Sequence, residues 1–263
     1  MFDRFLRHLL GHKKTLASFG ASDIESFWLA DDTSGHGIST RMRYLKLLDR
    51  MCRHLVYAGI RHSNPASEMA LAGRWPDADP TPLFLPEEAD VRLQEYVAAA
   101  AMIEDVPALC ACAIVALLLA TGITAAECQD ARSVDLHTEA SPPYLHVPAR
   151  GSRPARTVEL PAFALPALTR WQQRRPTLQI EGALLFSMRA RGTPVTVATL
   201  GNVVRSALLA IKFEAEDLSP RVLRNTYGRR LLLAGVPMEE VAKRMGLTSH
   251  RTCERLLLTI DPA

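Results

Sequence analysis

The run Ser219-Pro220-Arg221-Val222-Leu223-Arg224-Asn225-Thr226-Tyr227, followed by Leu233-Ala234-Gly235-Val236 and Met245-Gly246-Leu247-Thr248-Ser249, organises the C-terminal end of the chain. Its periodicity predicts helices over 220–233, 238–245 and 249–259, with Arg221 and Arg224 opening the first of them. Asn225, Thr226 and Tyr227 read as helix interior, and His250 as surface.

Upstream, a helix is expected over about 195–211. Before it, Tyr144-Leu145-His146-Val147 and Thr157-Val158-Glu159-Leu160 read as two strands of a hairpin. Their connection is Arg150-Gly151-Ser152-Arg153-Pro154-Ala155-Arg156. With no acid between Arg150, Arg153 and Arg156, such a tip repels itself unless a polyanion neutralises it. A short strand at 183–186 is expected to complete the sheet. Leu85-Pro86-Glu87-Glu88 opens one helix, and Pro107 opens a buried one that ends at Thr121-Gly122. Helices on a small antiparallel sheet make a mainly α, α+β domain over 85–263.

The N-terminal part reads as helices only. One starts after Ser22; a longer one follows Ser39-Thr40, with Tyr44, Leu47, Leu48, Met51, Leu55 and Val56 at helical spacing. Arg41, Arg43, Lys46, Arg50 and Arg53 occupy its opposite face. That face is either an ordinary solvated surface or a phosphate-contacting one. Gly59 stops the helix, and Asn64-Pro65-Ala66 opens a short further one. The Pro- and Asp-rich stretch 74–82 has no periodicity, so domains at 1–73 and 85–263 joined by a linker at 74–84 are expected.

With 263 residues, 48% hydrophobic and 22% charged, the chain can bury one large core or two modest ones. A formal net charge of +3 is too small to indicate nucleic acid by itself, so charge placement decides. Cys52, Cys110, Cys112, Cys128 and Cys253 form no CxxC pair and read as reduced core residues of a cytosolic protein. The longest apolar run, 108–120, is too short to span a bilayer, and the N-terminus lacks a signal-peptide pattern. A cytoplasmic protein with no membrane partner is expected. No set of residues has metal-ligand spacing, and neither metal nor cofactor is expected.

In order and spacing these pieces resemble the tyrosine recombinase (phage integrase, Xer-like) family. The resemblance is carried by Leu119-Ala120-Thr121-Gly122-Ile123-Thr124-Ala125-Ala126-Glu127, the basic hairpin and the stretch from Ser219 to Ser249. It implies a helical core-binding (SAM-like) domain before the linker and a recombinase catalytic-type domain after it. It also implies duplex DNA as partner, with the long helix after Thr40 and the helix at 195–211 at the grooves.

Family chemistry uses two arginines and a His or Trp to clamp the scissile phosphate, a hairpin lysine as general acid and a tyrosine nucleophile. The resemblance puts Thr124 at the first arginine, and a neutral hydroxyl cannot make a bidentate charged clamp. Arg150 stands at the lysine; a guanidinium holds its protons far more tightly than an ammonium, so arginine is a poor proton donor. The His-x-x-Arg pair becomes Arg221 and Arg224, which keeps only the second arginine. Leu247 replaces a histidine and Leu256 the tyrosine, with no tyrosine after Tyr227. Loss of one preorganised donor costs about 2.7–4 kcal/mol of transition-state stabilisation, so covalent cleavage is not expected.

The expected function is DNA binding without cutting, as an accessory subunit of an active recombinase or a regulator on a mobile element. The DNA-contacting set is Arg41, Arg43, Lys46, Arg50, Arg150, Arg153, Arg156, Arg221 and Arg224. Arg224 is alternatively a structural cation paired with Glu127 or Asp135. The apolar end Leu256-Leu257-Leu258 suits docking on another protomer or packing within one chain. The alternatives are recombination with a non-standard or trans-supplied nucleophile, and a decayed copy without a role.

Overall fold

The computed structural model describes residues 2–30, 38–72, 81–187 and 189–260. The chain divides into two compact units, Met1–Asp79 and Pro80–Ala263. Most of the expected linker, 74–80, lies outside the described residues.

The first unit contains α1 (Phe2–Gly11), α2 (Ala21–Leu29), α3 (Ile38–Tyr57) and α4 (Pro65–Ala72). Its core is an aromatic cluster in which Phe5 meets Phe19 and Phe27 edge to face at 5.2 and 5.3 Å. The buried guanidinium of Arg61 donates to the carbonyls of Leu16 and Phe19 and lies 4.3 Å over the Phe19 ring. Asn64 caps α4 by accepting from the Ser67 amide at 3.1 Å, and its Nδ2 donates to Asp49. The apolar face of α3 is narrower than expected: Leu45, Leu48 and Cys52 are buried, but Leu47 is 53% and Val56 38% exposed. Leu47 therefore belongs to the outer face, where Arg43, Lys46 and Arg50 also stand.

In the second unit α5 (Glu87–Ala98), α6 (Val106–Thr121) and α7 (Ala125–Asp130) precede β1 (Leu136–His137), β2 (Tyr144–Val147) and β3 (Arg156–Glu159). Then come α8 (Leu165–Arg174), α9 (Val197–Ala210), α10 (Pro220–Leu233), α11 (Met238–Met245) and α12 (Arg251–Leu257). A helix apolar on all sides must be covered on all sides, and α6 is packed by α5, α8, α9 and α10. Asp105 caps its start by accepting from the Ala108 amide, and Gly122 ends it at φ +59.

The antiparallel sheet has the order β1-β2-β3, pairing Leu136 with Leu145, Leu145 with Val158, and Val147 with Arg156. The strand expected at 183–186 does not join it. Leu184 forms a separate bridge with Arg132, and Trp171 Nε1 donates to the Leu185 carbonyl, so the segment is apolar because it is covered by α8. The mainly α, α+β architecture stands, with α1, α7 and α8 added to the expected elements. α12 packs on α10 and α11 of its own chain. Asn225 and Thr226 bind the backbone of Leu83 and Leu85, tying the start of this unit to α10. All five cysteines are buried and free, and no described helix is long and apolar enough to cross a membrane.

Gly122 is tightly enclosed, since a Cβ there would lie 2.3 Å from Tyr227 Cδ1. Gly122→Ala should destabilise the unit by about 2–5 kcal/mol in urea denaturation, from left-handed strain plus overpacking. Gly151→Ala, at a similar φ in open space, should cost only about 1–2 kcal/mol. Equal losses for the two would contradict the packing argument.

Candidate nucleic-acid interface

The turn after α6 sets up the site. Gly122 redirects the chain so that Thr124 becomes the N-cap of α7, and a capping box forms with Glu127. The Thr124 amide and hydroxyl donate to Glu127 Oε2 at 2.8 and 2.9 Å. The Thr124 hydroxyl oxygen accepts from the Glu127 amide at 3.3 Å. This position, where the resemblance puts an arginine, is thus occupied by a side chain that holds a carboxylate.

Glu127 is buried, and its other oxygen accepts from Arg156 Nη1 at 2.8 Å. Arg153 Nη1 lies 3.7 Å from Oε2. Burial pushes the Glu127 carboxyl up, but the hydrogen bonds from Arg156 and Thr124 and the Arg156 charge outweigh it and hold the pKa at about 2. It is a permanent anion at neutral pH.

Arg156 requires a correction to the expected basic tip. It is in β3 on the same face as Val158, and its side chain is only 3% exposed. Its Nε donates to the Arg244 carbonyl at 2.8 Å, and the group rests on Gly246, where a Cβ would lie 2.5 Å from Nη1. Its Nη2 is buried and has no hydrogen-bond partner among the described residues. The tip proper is a two-residue turn, Gly151-Ser152, closed by reciprocal backbone bonds between Arg150 and Arg153. The expected lack of acids is also corrected, because Arg150 Nε donates to Asp130 at 2.9 Å and Arg153 faces Glu127. The acids come from α7, which is distant from the hairpin in sequence.

Arg224 joins the same cluster from α10. Its Nη2 donates to the Met245 carbonyl at 2.7 Å and its Nη1 to the Gly122 carbonyl, so it bridges the ends of α11 and α6. Neither Glu127 nor Asp135 is its hydrogen-bonded partner. Burial lowers its pKa to about 10; the Glu127 charge raises it, and the charges of Arg153 and Arg156 lower it. Arg153, Arg156 and Arg224 therefore gather three positive charges around the one negative charge of Glu127, a surplus of two. Partly screened from water, such a surplus favours an anion.

The remaining expected positions are spread differently. Arg221 is exposed in the first turn of α10. Leu247 is partly buried against the core. Leu256 is fully buried under Gly228, where a Cβ would lie 3.0 Å from its Cδ1. Tyr227 is also buried, and burial pushes its pKa up to about 12. It lines a cleft of about 370 Å³ with Arg230, Arg244 and Glu159. In the first unit Arg43, Lys46 and Arg50 are exposed on one stripe of α3, while Arg41 is half-buried. Arg53 is bound to Asp49. The exposed Leu47 and Tyr57 on this helix went unnoticed as surface residues in the sequence. Among the described residues no group of His, Cys, Asp and Glu is placed to hold a metal ion.

The sequence model described as "Phage integrase family" matches residues 92–256. The chain belongs to the phage integrase family. No curated protein matches it. Among solved structures, the Tn1549 transposon integrase in complex with transposon right end DNA is similar at a TM-score of 0.72 and 17% identity, over 97% of this chain and 86% of that one. XerA recombinase is similar at a TM-score of 0.56 and 20% identity, over 97% and 83%. A lambda integrase dimer bound to a COC′ core site gives 0.61 and 13%, over 94% and 87%. At these identities the structures show a shared fold: the tyrosine recombinase arrangement of helices around a small antiparallel sheet.

The buried carboxylate sets an acid limit on the site. Its folded pKa, about 2, lies below the ordinary 4.5, so the stability it contributes is complete above that ordinary value and is lost as pH falls towards 2. Glu127→Gln should cost about 3–5 kcal/mol at neutral pH, because Arg156 is left buried and unpaired. In denaturation curves the gap between wild type and variant should close between pH 4.5 and 2; a gap that stays constant through that window would contradict the assignment.

Proposed function

We propose that this member of the phage integrase family holds duplex DNA by neutralising its phosphates and does not cut it, serving as an accessory subunit of a recombinase or as a DNA-binding regulator. The observation that carries the reading is Leu256. It occupies the position that the family resemblance gives to the tyrosine nucleophile, it is fully buried, and no tyrosine follows Tyr227 in the chain. Substitute nucleophiles are also poorly placed. Burial pushes the Cys253 thiol of α12 up, against a smaller opposing pull from Arg224, so the reactive thiolate is disfavoured. Tyr227 is held protonated by burial, and its ring is packed against Gly122.

The binding half of the proposal is supported by charge placement. Arg43, Lys46 and Arg50 form an exposed cationic stripe without ion-pair partners among the described residues, and Leu47 on the same helix offers apolar contact suited to a thymine methyl. In the second unit the surplus around Glu127, with Arg150 and Arg221 exposed, offers further phosphate contacts. Several solved structures with this fold are complexes with DNA, which makes duplex DNA the natural partner to test.

Binding to mixed-sequence duplex should weaken steeply with salt, by a slope of about −0.9 per phosphate contacted. In the same samples a DNA substrate that traps covalent intermediates should yield no protein–DNA adduct. A flat salt response would overturn the binding half, and an adduct formed by the purified chain would overturn the non-cleaving half.

A further inference from the structure

We propose that Arg153 supplies the phosphate-clamping charge that Thr124 lacks, so that the second unit grips a DNA phosphodiester with an arginine delivered from the hairpin. The proposal rests on the DNA-binding reading above and names the residue that makes the contact. Its starting point is a shared atom. Glu127 Oε2 accepts from the Thr124 hydroxyl at 2.9 Å and has Arg153 Nη1 at 3.7 Å. A guanidinium therefore reaches the corner from which a side chain at position 124 begins, although it comes from another element.

The three guanidinium groups of the cluster differ in what they can still do. Arg156 uses Nε and Nη1 inside the protein and is buried. Arg224 uses Nη1 and Nη2 on the carbonyls of Gly122 and Met245. Arg153 makes no side-chain hydrogen bond among the described residues, and its side chain is 34% exposed. Its carboxylate neighbour is already bound by Arg156 at the shorter distance of 2.8 Å. Arg153 can therefore turn to an incoming oxyanion without breaking a hydrogen bond and without leaving Glu127 unneutralised. The closed Gly151-Ser152 turn fixes its backbone, so only side-chain freedom is lost on binding.

The exchange also has a local physical reason. A short hydroxyl at position 124 caps α7 and anchors Glu127, which an arginine there cannot do. Glu127 in turn holds the hairpin through Arg156. The threonine thus builds the support on which Arg153 is presented, and Arg153 returns the positive charge with a planar, bidentate donor set suited to a phosphodiester.

The test is a titration of the full chain with a mixed-sequence duplex over a range of salt. Near 0.1 M salt Arg153→Gln should weaken binding roughly five- to tenfold and reduce the salt slope by about one. Arg153→Lys should keep the slope, and Thr124→Arg placed in the Arg153→Gln chain should recover it. Thermal melts of each variant establish that it is folded. Arg50→Gln serves as an independent probe of DNA binding by the first unit. If Arg153→Gln leaves affinity and slope unchanged while Arg50→Gln lowers both, the assignment of Arg153 is overturned and the DNA-binding reading stands. A lower melting temperature with unaltered binding would likewise assign Arg153 a purely structural role. If the wild-type chain fails to bind duplex at low salt, the DNA-binding reading falls and this proposal with it.

Discussion

The Glu127 carboxylate is out of water, a costly arrangement unless donors and counter-charges surround it, and these come from three parts of the second unit. Thr124 approaches from the turn after α6, Arg156 from β3, and Arg153 from the hairpin. Arg156 extends the link to α11 through the Arg244 carbonyl, and Arg224 separately ties the C-terminal ends of α6 and α11 together. One buried anion thereby fixes the relative placement of a helix start, a helix end and a hairpin. The same atoms that hold these elements together also concentrate positive charge, because three cations are gathered where one anion is present.

This arrangement suits the proposed role of gripping DNA without cutting it. A grip requires surplus charge in a fixed frame, and carboxylate, cap and carbonyl contacts provide the frame. Strand cleavage also requires a nucleophile and a proton donor. Leu256 contributes packing under Gly228 instead of a hydroxyl. Arg150, tied to Asp130 at the exposed tip, supplies positive charge there. On the proposed reading, each of these positions supplies charge or packing.

Much of this was legible in the sequence, and where it was not the cause is identifiable. The helices of the C-terminal run, the buried helix ending at Thr121-Gly122 and the hairpin follow from periodicity and from Gly and Pro punctuation. Strand alternation already places Arg156 with Val158 on the inward face, a signal overridden by reading three arginines as one tip. The acids facing the hairpin are on α7, so spacing within the hairpin could not reveal them. The helix α8 was hidden by Pro161, Pro166 and Pro176, although Pro166 stands in its first turn, where proline is tolerated. The two-residue β1 is too short for any pattern, whereas the apolar segment 183–186 imitates a strand because Trp171 covers it.

The most direct test of the account is a crystal structure of the chain with duplex DNA. The account predicts an intact phosphodiester with a non-bridging oxygen within hydrogen-bond distance of Arg153, Glu127 still bound to Arg156, and no bond between the DNA and any side chain of α12. A phosphate backbone that passes elsewhere with Arg153 unmoved on Glu127, or a covalent link from protein to DNA, would contradict it.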